Sequence, residues 1–146
     1  MDRSRTIEIL NRMIAIHNRS LPMYLADARP WTQHCDEAAC DALVRIVADQ
    51  RALIDRLGQL VLDREGTVDS SAYSMEFTGK HDLSMRYLLP QMVQYQSTMV
   101  ADIEQCVQRL EGDPQAKSAA REALGEAKGH LESLQEAVCE ATTGPK

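Results

Sequence analysis

The chain has 146 residues, 44% apolar and 26% charged, which is close to an ordinary globular protein and enough for one domain. Sixteen basic residues against 22 acidic ones leave a formal net charge of −6, a balance that argues against nucleic acid or an anionic membrane surface as the main partner. No run reaches the roughly 18 consecutive apolar residues of a membrane span, and the opening Met1-Asp2-Arg3-Ser4-Arg5 has no signal-peptide core, so a cytoplasmic protein is expected. Cys35, Cys40, Cys106 and Cys139 contain no CxxC pair and read as small, reduced thiols of a packed interior. Aromatic residues make up only 4%, and with few β-branched side chains the chain reads as helical.

The first helix is expected over about 4–26. Ile7, Leu10, Ile14, His17, Leu21 and Tyr24 alternate at spacings of three and four, a seam that packs helix on helix. Arg5, Arg12 and Arg19 recur every seven residues away from that seam and read as a solvated row. Pro22 removes a backbone donor and is expected to kink this helix just before Tyr24. After a polar turn with Pro30 and Trp31, Asp36 is placed to cap a second helix over 36–64. Its seam is Leu43, Val47, Gln50, Ile54, Leu57 and Val61, and Gly66 is expected to supply the C-terminal stop.

Residues 67–80 lack a helical period and are long for a connection. Tyr73, Met75 and Phe77 alternate with polar residues, so this piece is expected to run extended, back along the molecule. Asp82 then caps a third helix over 82–111, with Leu89, Met92, Gln96, Met99, Ile103, Cys106 and Leu110 as its seam and Pro90 in an early turn. Glu111-Gly112-Asp113-Pro114 stops that helix and starts the next, with Asp at the N-cap and Pro at the first helical position. The fourth helix, over 114–141, carries the small-residue seam Ala120, Ala123, Ala127, His130, Leu134 and Ala137. Residues 1–146 thus form a single all-α domain, an antiparallel four-helix bundle with a long crossover between its second and third helices.

Each seam holds one polar residue near its middle: His17, Gln50, Gln96 and His130. Four such residues are expected to meet at one level of the bundle, which is how bundles build metal sites. The run Leu10-Asn11-Arg12-Met13-Ile14-Ala15-Ile16-His17, with Tyr24 seven residues later, resembles the first helix of the ferritin-like superfamily, bacterioferritin and rubrerythrin among them. Lys128-Gly129-His130-Leu131-Glu132 is similar to the last-helix ligand motif of that family. The resemblance implies a di-iron site, and the chain departs from it. The bridging carboxylate positions read Gln50 and Ala127, the second-helix histidine position is Leu53, and the third-helix glutamate falls on Gln94, Tyr95 or Gln96. Amides are weak, uncharged donors, and Leu and Ala donate nothing. Ferroxidase activity is not expected.

Three readings of His17 and His130 stand side by side. They are core histidines bonded to Tyr24, Gln50, Gln96 or water; or they hold a single Zn, Fe or Cu ion with Glu126 or Asp49 as a third ligand; or they line a residual di-metal or small-molecule pocket. Weaker candidates are His81-Asp82 as a cap, His34-Cys35 with Cys40 at a helix end, and Met13, Met92 and Met99 with Cys106 as soft ligands, the methionines reading as core filler. No Ser-His-Asp order and no phosphate-binding glycine loop is present. The expectation is a ferritin-like protein without a complete di-iron centre and without a cofactor, a non-catalytic binding or assembly module forming a homodimer. The alternative is a metalloprotein or oxidoreductase with an altered site on His17 and His130.

Overall fold

The computed structural model describes residues 3–23, 37–69 and 85–143. Four long helices make up most of them: α1 (Arg3–Asn18), α2 (Glu37–Asp63), α3 (Met85–Arg109) and α4 (Pro114–Thr143). No strand occurs among the described residues. The all-α class follows, as the composition implied. Helix α1 packs on α2 and α3, and α4 packs on α3 and α2, whereas α1 and α4 touch little and α2 and α3 less still. Among the described residues no helix is long and apolar enough to cross a membrane. Tyr24, Pro30, Trp31, His34, Cys35, Asp36, the Cys40 side chain, Tyr73, Met75, Phe77, His81 and Asp82 lie outside what is described.

The first helix departs from its expected span. Helix α1 stops at Asn18, the chain turns at Arg19 and bends at Ser20, and helical geometry resumes over 21–23. Pro22 has no N–H for the Asn18 carbonyl, and its ring crowds that oxygen, so the ladder fails here outright instead of bending. Ser20 then serves as a cap: its Oγ accepts from the Met23 N–H at 3.4 Å. The buried face of α1 is also wider than one seam, comprising Thr6, Ile9, Leu10, Met13, Ile14 and His17, with Arg5, Arg12 and Arg19 exposed as expected.

Helix α2 ends in a Schellman arrangement, and here the sequence expectation about Gly66 needs correction. The Gly66 N–H bonds the Val61 carbonyl at 2.9 Å and the Glu65 N–H bonds that of Leu62 at 2.9 Å. That pattern puts the left-handed position on Glu65, whose φ is 62°, not on the glycine. Gly66 is required for a different reason. A Cβ there would sit 2.9 Å from Ile7 Cδ1, Ile7 Cγ2 and Val61 Cγ1, so any side chain at this position forces Ile7 and Val61 to shift where α1 comes close. The chain then turns back along α1, where the Asn11 amide donates to the Thr67 carbonyl and its oxygen accepts from the Asp69 N–H, both at 2.9 Å.

The third and fourth helices join as expected. Asp113 caps α4, its Oδ1 accepting from the Ala116 N–H at 3.2 Å, and Pro114 opens the helix. The same carboxylate takes a fork from Arg64 at 2.9 and 3.0 Å, and Arg64 further donates to the Leu60 carbonyl and to Gln115 Oε1. One acid thus ties the end of α2 to the start of α4. On α4, Ala116, Ala119, Ala120, Ala123 and Ala127 are all buried, and their small size allows the close α3–α4 contact.

Candidate functional site

The apolar core divides in two. One cluster gathers around Leu10, Ile14, Leu57, Ile103, Leu110 and Ala120. The other gathers around Leu21, Leu43, Ile46, Leu89, Met92 and Leu134. His17, Gln50, Gln96 and His130 belong to neither cluster, and with Thr6 they are the buried polar residues among those described. Gln50, Gln96 and His130 each lie on their helix between residues of the two clusters, and His17 lies between Ile14 of the first and Leu21 of the second, past the helix break. The polar seam positions therefore form a layer across the interior.

Every member of the layer has a partner. The His17 Nδ1–H donates to the Met13 carbonyl at 2.7 Å. Ser20 Oγ donates to Gln50 Oε1 at 2.8 Å, and Gln50 Nε2 donates onward to Met99 Sδ at 3.7 Å. Gln96 Nε2 donates to the Ala127 carbonyl at 3.0 Å. His130 Nε2 lies 2.8 Å from Asp49 Oδ2 and donates to it. Among the described residues no buried side-chain nitrogen or oxygen lacks a partner, the condition for a polar layer to be tolerated in a core. Ser20 and Met99 were not legible as members. Ser20 is placed by the helix break, and Met99 reads as one more apolar seam residue.

His17, Gln50, Met99, Ala123, Glu126, Ala127 and His130 line one small hollow that leaves no volume for a water-sized sphere. Both imidazoles thus face a common space. Burial, together with the nearby His130, holds the His17 ring down to about 4 from its usual 6.5, against the bond to Met13. The ring is neutral at pH 7 and keeps its lone pair on Nε2. Glu126, an exposed residue, reaches the edge of the hollow. Its carboxyl is pushed above the ordinary range by burial and by the charge of Asp49. Of the three third-helix positions, Gln94 is exposed, Tyr95 half-buried and Gln96 buried in the layer.

A di-iron group does not fit these residues. Two adjacent cations need bridging carboxylates, and here the bridging positions carry the Gln50 amide and the Ala127 methyl, Glu126 is the one carboxylate among the described residues bordering the hollow, and Leu53 is absorbed into an apolar cluster. Among the described residues no three His, Cys, Asp or Glu side chains are placed to hold a metal ion. No protein-family model, curated protein or solved structure matches this chain. What the site can do must be argued from its own groups.

Proposed function

We propose that this protein is a ferritin-like four-helix bundle whose di-iron centre has given way to a hydrogen-bonded polar layer, and that it works as a non-catalytic binding or assembly module. The observation that carries this reading is the layer itself: amides, a methionine and two imidazoles stand at one level, each bonded within the protein. The bundle reading is supported by which ends meet. Arg3 at the start of α1 pairs with Glu65 beyond the end of α2. Arg64 pairs with Asp113 at the start of α4, and Arg56 pairs with Glu122. With a short link between α3 and α4, these contacts suit neighbours running in opposite directions and a crossover between α2 and α3. We further propose a cytoplasmic homodimer. Its support is an outer face of α2 that exposes Val44 and Leu62, about five turns apart and therefore on one side of the helix.

One observation favours a second reading, a single Zn, Fe or Cu ion held by His17, His130 and Glu126. These side chains border the same hollow, and His130 lies one turn after Glu126 on α4. Metal analysis decides between the two. Protein purified without chelators or an affinity tag is incubated with Fe(II), Zn(II) or Cu(I) and desalted. The module reading expects no stoichiometric metal. Stoichiometric metal that disappears in a His17→Ala, His130→Ala double variant overturns it and establishes the metalloprotein.

A further inference from the structure

A larger space opens beside the polar layer, between α1 and α3. This cleft has a volume of about 350 Å³ and is lined by Arg12, Ala15, Ile16, Arg19 and Ser20–Pro22 on one side and by Tyr95, Gln96, Thr98, Met99 and Asp102 on the other. Its size lies at the lower end of small-molecule sites, which span roughly 300–1,000 Å³, and at about 30 Å³ per small group it admits roughly ten heavy atoms. Ala15, Ile16, Leu21 and Met99 supply apolar surface. Two members of the arginine row read from the sequence, Arg12 and Arg19, stand at its margin.

The charges at the two ends differ. Arg12 and Asp102 both line the cleft and both lie close enough to the Cys106 thiol to act on its charge, so the acid offsets the cation at the Arg12 end. Arg19 lies just past the end of α1, seven residues after Arg12, and lines the same cleft as Ser20, Pro22 and Tyr95. The cleft therefore offers a guanidinium at one end, with Ala15 and Ile16 one turn back along the chain as the start of an apolar wall. We propose that it binds a small amphipathic monocarboxylate, its carboxylate held by Arg19 and its hydrocarbon body lying on Ile16 and Met99. Arg guanidinium suits a carboxylate through paired N–H donors. Ser20, Gln96 and Met99 belong both to the cleft wall and to the polar layer. An occupant would thus rest against the bonds that hold His17's neighbours. This proposal rests on the reading of the protein as a binding module and gives that reading a ligand class.

The test is titration of the full chain with sodium octanoate, followed by calorimetry and by amide chemical shifts. The expected result is one saturable site, with shifts centred on α1 and α3, and at least tenfold weaker binding of octanol, acetate and inorganic phosphate. Arg19→Ala should weaken octanoate at least tenfold, Arg19→Lys should restore most of that loss, and Arg5→Ala should change it less than twofold. Arg19 is exposed, so these variants keep the fold, and their circular dichroism and melting temperature verify it. Octanol or phosphate binding as tightly as octanoate, an unchanged Arg19→Ala, or no saturable site each overturns the proposal. Failure here leaves the metal analysis untouched, so a module without this ligand is distinguishable from a metalloprotein.

Discussion

The interior holds a titratable ring that the fold keeps neutral. His17 has a folded-state value of about 4 against 6.5 for the free side chain, chiefly because burial disfavours its charge. Below pH 6.5 the unfolded chain takes up this proton and the folded chain does not, so stability falls as pH drops from 6.5 to 4. Over that window the loss amounts to about 3 kcal/mol. His130, Gln50, Met99 and Glu126 border the same hollow, and Asp49 is bonded to His130. Urea unfolding at pH 7 and at pH 4 should therefore show a smaller acid loss in His17→Leu than in the parent, and parallel losses would mean the ring is not held neutral. Two neighbouring residues give effects of opposite sign. Glu65→Gly removes a side chain from a left-handed position and should stabilise by about 1 kcal/mol. Gly66→Ala drives a Cβ into Ile7 and Val61 and should destabilise by about 1–2 kcal/mol; thermal melts of both variants check the pair.

At the scale of elements, helix ends and their partners carry more than propensity. Asp113 caps α4 and receives the Arg64 fork, and the bond from Arg64 holds its carboxyl below the ordinary range. Asp113→Ala removes the cap and strands a guanidinium that is mostly buried, and it should cost about 2–3 kcal/mol by chemical denaturation. The cap and its proline were legible because Asp-Pro carries its own local geometry. The break after Asn18 was read only as a kink. Proline marks where a ladder must fail, but whether the helix bends or stops depends on what replaces the lost bonds. Here Ser20 both caps the resumed turn and bonds Gln50 on α2. The left-handed Glu65 was illegible for a related reason: glycine was needed at position 66 for an approach made by α1, a contact no local pattern announces.

For the molecule as a whole, the register of the polar layer is open to direct test. If Gln50, Leu53 and Ala127 stand where a di-iron bundle carries ligands, Gln50→Glu, Leu53→His and Ala127→Glu together should restore some Fe(II) binding, measured by iron content after desalting. A folded triple variant that takes up no iron would show the register to be shifted. The geometry that matters for this test is already partly visible, since Gln50 and Ala127 border the same hollow as both imidazoles, whereas Leu53 packs into an apolar cluster.

By itself the sequence determined the helical class, the span of α2, the start of α4 and the polar seam positions, because each depends on periodicity or on the chemistry of adjacent residues. His17, Gln50, Gln96 and His130 could be singled out since a polar residue on an apolar stripe is conspicuous within a single helix. Only the tertiary structure decided their partners. A buried polar group takes whatever donor or acceptor the neighbouring helix presents, so Met99, Asp49 and the Ala127 carbonyl entered the layer through packing, while His17 bonds the Met13 carbonyl one turn back on its own helix. The same holds for the cleft between α1 and α3: its arginines were visible as an outward row, but a concave space exists only once two helices are set side by side.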